Sequence, residues 1–371
     1  MDALQRLRDV ARHPSRAADE WTAKGGKVVG YRCLYVPEEV IWAAGMLPYP
    51  LWGTAEPVGL ADAYLQSCTC EAVRNVFDLA LQGRLPRLAA LALSNTCDAI
   101  RRLCDVWAGY IEATPVFLIN NPQKLGTADG RTYLLEELRR FRARMEEVAG
   151  RRIGDDDLRR AIALFDETRD LLHEIYELRR QPRPPLTAEE ALDVCLAAAA
   201  LPKDQANPLL RQLLAELRER TPPASSGPRI LVTGSLVDHP GLLQLVAEAG
   251  GSVVVEDLCT TTRYFQHRVG TDGDPLEAIC GFLDQRVFCA CMHPVGARLE
   301  HILGLVDHFA VEAVISFNLK YCHPFLYEAP LLRQALEARQ VPVTLLEVGH
   351  DLSGYGQLRT RIQAFVEMVT L

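Results

Sequence analysis

No stretch of the 371-residue chain reaches the roughly 18 consecutive apolar residues that a membrane-crossing helix needs. The nearest approach, ALDVCLAAAALP from Ala191, is short and carries Asp193. The opening residues, MDALQRLRDVARHPSRAADEW, are polar and amphipathic and lack the apolar core of a secretory signal. Basic residues are in deficit, with 40 Lys and Arg against 48 Asp and Glu and a formal charge of −8, and no Lys/Arg run stands clear of acidic neighbours. Binding nucleic acid through its phosphates needs a basic face, so neither nucleic acid nor a membrane is expected as a partner. Together these absences point to a soluble cytoplasmic protein.

Two motifs are also missing. Without a GxxxxGKS or GxxxxGKT run there is no P-loop for ATP. Without a CxxC pair there is neither a zinc ribbon nor a ferredoxin-type cluster loop. Cysteine itself is not scarce: there are 11, an odd number, and with no secretory signal they are read as reduced thiols rather than a disulfide framework. Nearly half of the chain, 49%, is hydrophobic, enough for the cores of two or three domains.

Apolar periodicity divides the chain into four parts. Residues 1–26 read as a helical lead-in closed by Gly25-Gly26. Residues 27–128 alternate strand-like and helix-like segments (KVVGYRCLYVP, EEVIWAAGM, RLAALALSN, DAIRRLCDVWAGYI, TPVFLIN), the pattern of a first α/β lobe. Residues 129–228 carry leucine-spaced charged helices, expected as a solvated cap rather than a subunit interface, and the linker TPPASSGPR. Residues 229–371 restart the alternation from RILVTGSLV to a closing helix, the pattern of a second α/β lobe with helices on both sides of a parallel sheet.

Three cysteines share one position on this map. Cys97 follows LAALALSN and precedes a helix, Cys322 follows AVEAVISFN, and Cys70 opens the helix EAVRNVFDLALQ. In open α/β sheets the ligand crevice lies beyond the carboxyl ends of the strands, where loops enter helix N-termini. Unpaired amides and the helix dipole there lower a thiol's pKa and favour negative charge on a thiolate or an anionic cluster. Three dispersed thiols also leave a metal position open, which catalysis at a metal requires.

The chain resembles the 2-hydroxyacyl-CoA dehydratase family, which includes the benzoyl-CoA reductase core subunits, over most of residues 27–371. The matching pieces are YVPEEVIWAAGMLPYPLWG, CEAVRNVFDLALQG, SNTCDAIRRLCDVW, NLKYCHPFLYEAPLL and GQLRTRIQAFVEMV, in the family's order. The resemblance implies two Rossmann- or flavodoxin-like parallel-sheet lobes with a helical insertion and an N-terminal helix. It implies one [4Fe–4S] cluster held by Cys70, Cys97 and Cys322. Cys68 rivals Cys70, which is preferred because it stands four residues before Arg74 as in the family's pattern. It further implies an acyl-CoA or aryl-CoA thioester as substrate and a paralogous subunit, or a second copy, as partner. The electron would come from a separate ATP-dependent iron–sulfur activator, which suits the missing P-loop. Removing water from a 2-hydroxyacyl thioester means taking a proton from a β-carbon that is not acidic, and one electron placed on the thioester makes that step accessible.

The expected function is thus an iron–sulfur core subunit of such an enzyme, either dehydratase or reductase. The alternatives are a non-catalytic relay or scaffold subunit and a double-cubane-type reductase, which needs more cysteine ligands. Glu39, at the family's P-x-E position, is a candidate general acid or base or a hydrogen-bond partner of substrate, weighed evenly against a carboxylate favoured by the helix N-terminus. Glu38 is expected to be solvated. Cys33, Cys104, Cys195, Cys259 and Cys280 are read as core residues, and Cys289-x-Cys291 as packing unless Cys68 joins it in a larger cluster. Arg359, Arg361, Arg101, Arg102, His323 and the loop TGSLVDHPG are weaker candidates for contacts to CoA or to the cluster.

Overall fold

The computed structural model describes residues 2–223, 227–286, 289–351 and 354–371. Ala224, Ser225 and Ser226 of the expected linker lie outside them. Among the described residues eight strands form two sheets, every pairing parallel. The first contains β1 (Val28–Arg32), β2 (Leu47–Pro50), β3 (Ala90–Ser94) and β4 (Val116–Ile119). The second contains β5 (Arg229–Gly234), β6 (Ser252–Asp257), β7 (Ala313–Leu319) and β8 (Val343–Val348). Their strand orders are β2-β1-β3-β4 and β6-β5-β7-β8, so both sheets are wound in the same way. The fold class is α/β, as expected, with a helix at the N-terminus (Ala3–Arg12).

The central strands are apolar nearly throughout because each is covered on both faces. In β3 the side chains alternate between two cores: Leu91 and Leu93 on one side, Ala90 and Ala92 on the other. Leu91 and Leu93 share their core with Ile230, Val232, Ile315 and Phe317 of the second sheet, so one apolar layer is continuous between the sheets.

Several local elements differ from expectation. β2 is an edge strand containing Pro48 and Pro50, residues that disguise a strand in sequence but are tolerated at an edge. The helix Pro275–Asp284 carries a legible start, since Asp274 accepts the Leu276 and Glu277 N–H groups at 2.9 Å and Pro275 sits in the first turn. The stretch nearest to a membrane segment is the helix Ala188–Ala200, buried all round from Glu190 to Ala200. It is apolar because it is a core helix. Among the described residues no helix is long and apolar enough to cross a membrane. The helix Asp155–Glu177 is no solvated cap, for it buries Leu158, Phe165, Asp166, Arg169 and Ile175 among others.

Each sheet reverses its strand order between its first and third strands, at β1/β3 and β5/β7, and a crevice opens beyond the carboxyl ends at such points. At the second reversal Gly234 ends β5 with φ +125°, and a Cβ there would lie 2.0 Å from the Phe317 carbonyl oxygen. No side chain fits in that conformation against that backbone. Gly234→Ala should therefore destabilise the chain by about 2 kcal/mol or more. Urea unfolding checks this, and a loss within error of zero would contradict it.

Candidate active site

Seven of the 11 thiols line one cavity of about 570 Å³ between the carboxyl ends of the two sheets. They are Cys33, Cys70, Cys97, Cys259, Cys289, Cys291 and Cys322. Cys70, Cys97 and Cys322 are the N-cap residues of three helices, Glu71–Leu81, Asp98–Tyr110 and His323–Glu337, and none has a side-chain cap bond. Three thiols thus meet the positive ends of three helix dipoles. Cys68 is exposed and outside the cavity lining.

The thiols interact in two groups. A hydrogen bond from the Cys322 thiol brings Cys70 down to about 7 against the opposing effect of burial, helped by the Arg32 guanidinium and the Ala72 and Val73 amides. Holding that shared proton, in a buried position, raises Cys322 well above the ordinary thiol range. Cys291 acts in the same way between Cys97 and Cys289. Its hydrogen bonds lower Cys97 and bring Cys289 to about 7, with Arg263 and Arg298 adding to the effect on Cys289. Cys291 is raised in consequence. Cys33, by contrast, is pushed up to about 12 by burial and by Cys289.

Buried cations support both groups. Arg32, at the end of β1, donates to the Leu51 carbonyl and, at 3.0 Å, to the Ala72 carbonyl, which holds the first turn of the Cys70 helix. Arg263 is clamped by Asp257 through two 2.8 Å bonds and reaches Cys259 Sγ at 3.7 Å. Arg298 joins Asp257 at 3.0 Å and Glu328 at 2.8 Å. Cys33 and Tyr321, both lining the cavity, adopt φ +90° and +64°, a left-handed backbone rare for residues other than glycine.

A family model for the D-component of 2-hydroxyglutaryl-CoA dehydratase matches residues 33–369. The chain belongs to this family. It is 28% identical to the lactoyl-CoA dehydratase subunit beta of Anaerotignum propionicum, over 99% of this chain and 98% of that protein. It is 27% identical to a subunit of the benzoyl-CoA reductase of Thauera aromatica, over 96% and 94% respectively. With the (R)-2-hydroxyglutaryl-CoA dehydratase subunit beta of Acidaminococcus fermentans the identity is 26%, over 98% of each chain. The family match includes all seven cavity thiols.

The cavity gathers the three N-cap cysteines expected from the sequence but not Glu39, which is buried and ion-paired with Arg169, itself held by Asp166 at 2.8 Å. Glu38 is buried too, not solvated, and accepts the Tyr31 hydroxyl proton at 2.8 Å. Tyr31 lines the cavity, so Glu38 is the nearer of the two carboxylates in hydrogen-bond terms. Arg101 and His323 reach the lining, whereas Arg102, Arg359 and Arg361 do not. Cys33 and Cys259, expected in the core, are cavity residues, as are Cys289 and Cys291. The missed signal was positional: Cys33 directly follows β1 and Cys259 stands two residues after β6, the same strand-end location that singles out Cys97 and Cys322.

Because the thiolate is the reactive form, the metal-free chain should be alkylated by iodoacetamide at pH 7.5 at Cys70 and Cys289 well before Cys33 and Cys195, the last also held near 12 by burial. Peptide mapping by mass spectrometry reads the order. Labelling of Cys33 ahead of Cys70 would contradict the electrostatics described above.

Proposed function

We propose that this chain is the iron–sulfur core subunit of a 2-hydroxyacyl-CoA dehydratase or benzoyl-CoA reductase-like enzyme, with Cys70, Cys97 and Cys322 as ligands of a [4Fe–4S] cluster. The observation that carries the proposal is the convergence of three N-cap thiols on one cavity. The donor set fits such a group: Cys70 and Cys97 are shifted toward the thiolate, Cys322 holds the proton it shares with Cys70, and helix N-termini with buried guanidinium groups favour an anionic cluster. When bound, the cluster supplies a low-potential electron to the thioester. The chain's own residues do the positioning. Arg32 fixes the Cys70 helix, and Trp52, Leu236, Phe325 and Leu331 offer an apolar wall for the acyl or aryl group. Glu38 and Tyr31 hold a proton at the cavity wall, while Glu39 acts by anchoring Arg169 rather than by touching substrate.

The partners in this proposal are a paralogous subunit or a second copy of the chain, and a separate ATP-dependent iron–sulfur activator. The setting is the cytoplasm. The same division of residues 1–26, 27–128, 129–228 and 229–371 is proposed for the mature fold, supported by the two separate sheets and the helices between them.

A second reading is favoured by the count of thiols. Seven cavity cysteines exceed the three that one cubane takes, and Cys259, Cys289 and Cys291 stand ready to enlarge the site toward a double-cubane cluster. Anaerobic purification followed by iron and sulfide analysis separates the two: about four irons per chain for one cubane, about eight for the larger cluster. Cys97→Ala should abolish cluster binding in either case, whereas Cys289→Ala should spare the four-iron form and lose the eight-iron form. Zinc alone, or no metal after anaerobic reconstitution, would overturn both. Binding of a CoA thioester to the chain with and without its partner distinguishes a catalytic from a relay subunit.

A further inference from the structure

We propose that Asp238, His239 and His350 form a mononuclear site for a divalent transition-metal ion, outside the thiol cavity and independent of what that cavity holds. One nitrogen or oxygen from each residue lies within 4.8 Å of the other two. None of the three lines the thiol cavity. Asp238 and His239 sit on the loop between β5 and the helix Gly241–Glu248, and His350 follows β8, so the site joins two loops at the carboxyl side of the second sheet. Two imidazoles and one carboxylate are the donor set of zinc and iron(II) sites with open positions.

The surroundings of the triad are those of a metal site. In such sites a histidine ligand usually donates its other ring N–H to a carbonyl or carboxylate, and ligand carboxylates are themselves hydrogen-bonded. His239 Nε2 lies 3.0 Å from the His350 carbonyl oxygen. A carbonyl can only accept, so Nε2 carries the proton and Nδ1 keeps the lone pair. His350 Nε2 lies 2.9 Å from Asp238 Oδ1, so these two donor atoms already stand side by side and an ion would take the place of the proton between them. The Asp238 carboxylate is oriented from the first sheet's side, where the Gly53 N–H donates to Oδ2 at 2.8 Å. The His350 ring is held as well, since a Cβ on Gly53 would fall 2.5 Å from its Cε1, and the His350 N–H donates to Glu71 Oε2 at 2.6 Å. An ion here would fasten the second sheet's loops to the two segments, Gly53 and Glu71, that flank Cys70.

Cobalt(II) is a suitable probe because nitrogen and oxygen ligation gives weak visible bands, whereas thiolate ligation adds an intense near-ultraviolet charge-transfer band. Co2+ is titrated into the full chain, anaerobically purified, and into its His239→Ala, Asp238→Asn and Cys97→Ala variants. The expected result is one Co2+ per chain whose bands lack thiolate character, with affinity reduced at least tenfold in His239→Ala and Asp238→Asn and unchanged in Cys97→Ala. His239 is partly exposed, so its replacement leaves the core intact. The proposal is overturned if no Co2+ binds, if all bound Co2+ shows the thiolate band, or if the thiolate-free bands survive both the His239 and the Asp238 substitutions. Loss of iron from Cys97→Ala bears on the cluster alone and leaves this result readable.

Discussion

The cavity depends on charged side chains that bond to backbone groups across the junction between the two sheets. Arg286 donates to the Leu34 carbonyl at 2.8 Å, and its own carbonyl accepts the Tyr35 hydroxyl. Asp284 accepts the Gly126 N–H at 2.8 Å, Asp238 the Gly53 N–H, and Glu71 the His350 N–H. Backbone acceptors and donors are fixed by the strands and loops that carry them, so these bonds set the distance between sheet ends more firmly than two flexible side chains would. Each joins a charge to a dipole in a part-buried setting, where losing one partner strands the other at a cost of about 1–3 kcal/mol. The contacts of Cys70 with Cys322 and of Cys97 with Cys291 both cross this junction.

The electrostatics of the cavity follow from what the junction brings together. Parallel winding points the amino ends of the helices after β3 and β7 toward the same space as the helix that Cys70 opens. Buried guanidinium groups add to this potential on both sides, Arg32 beside Cys70 and Arg263 beside Cys259. Asp257 and Glu328 balance Arg263 and Arg298 at bonding distance, which keeps the cations buried and in place. A site assembled in this way holds negative charge on sulfur without needing a partner from solvent.

Much of the architecture was legible in the sequence because it rests on local signals. Apolar runs followed by helical periodicity marked both sheets, and the position of Cys97 and Cys322 after such runs marked the crevice. β2 was hidden by Pro48 and Pro50, since edge placement is a tertiary fact. Cys33 and Cys259 were hidden by apolar neighbours, although each stands at a strand end. The fate of the two adjacent carboxylates Glu38 and Glu39 could not be read from their spacing. It is decided by Tyr31, on a strand, and by Arg169, more than a hundred residues away. The triad of Asp238, His239 and His350 was equally out of reach, because the loops after β5 and β8 are brought together only by the folded sheet.

Under the proposed function, Cys70, Cys97 and Cys322 hold iron in the space between the two sheets. Anomalous diffraction at the iron K-edge, from crystals grown anaerobically with the iron-loaded chain, tests it most directly. The expected result is a compact iron peak inside the cavity, within bonding distance of all three sulfurs. Iron located elsewhere in the molecule, or in the cavity but bound to none of those three thiols, would contradict it.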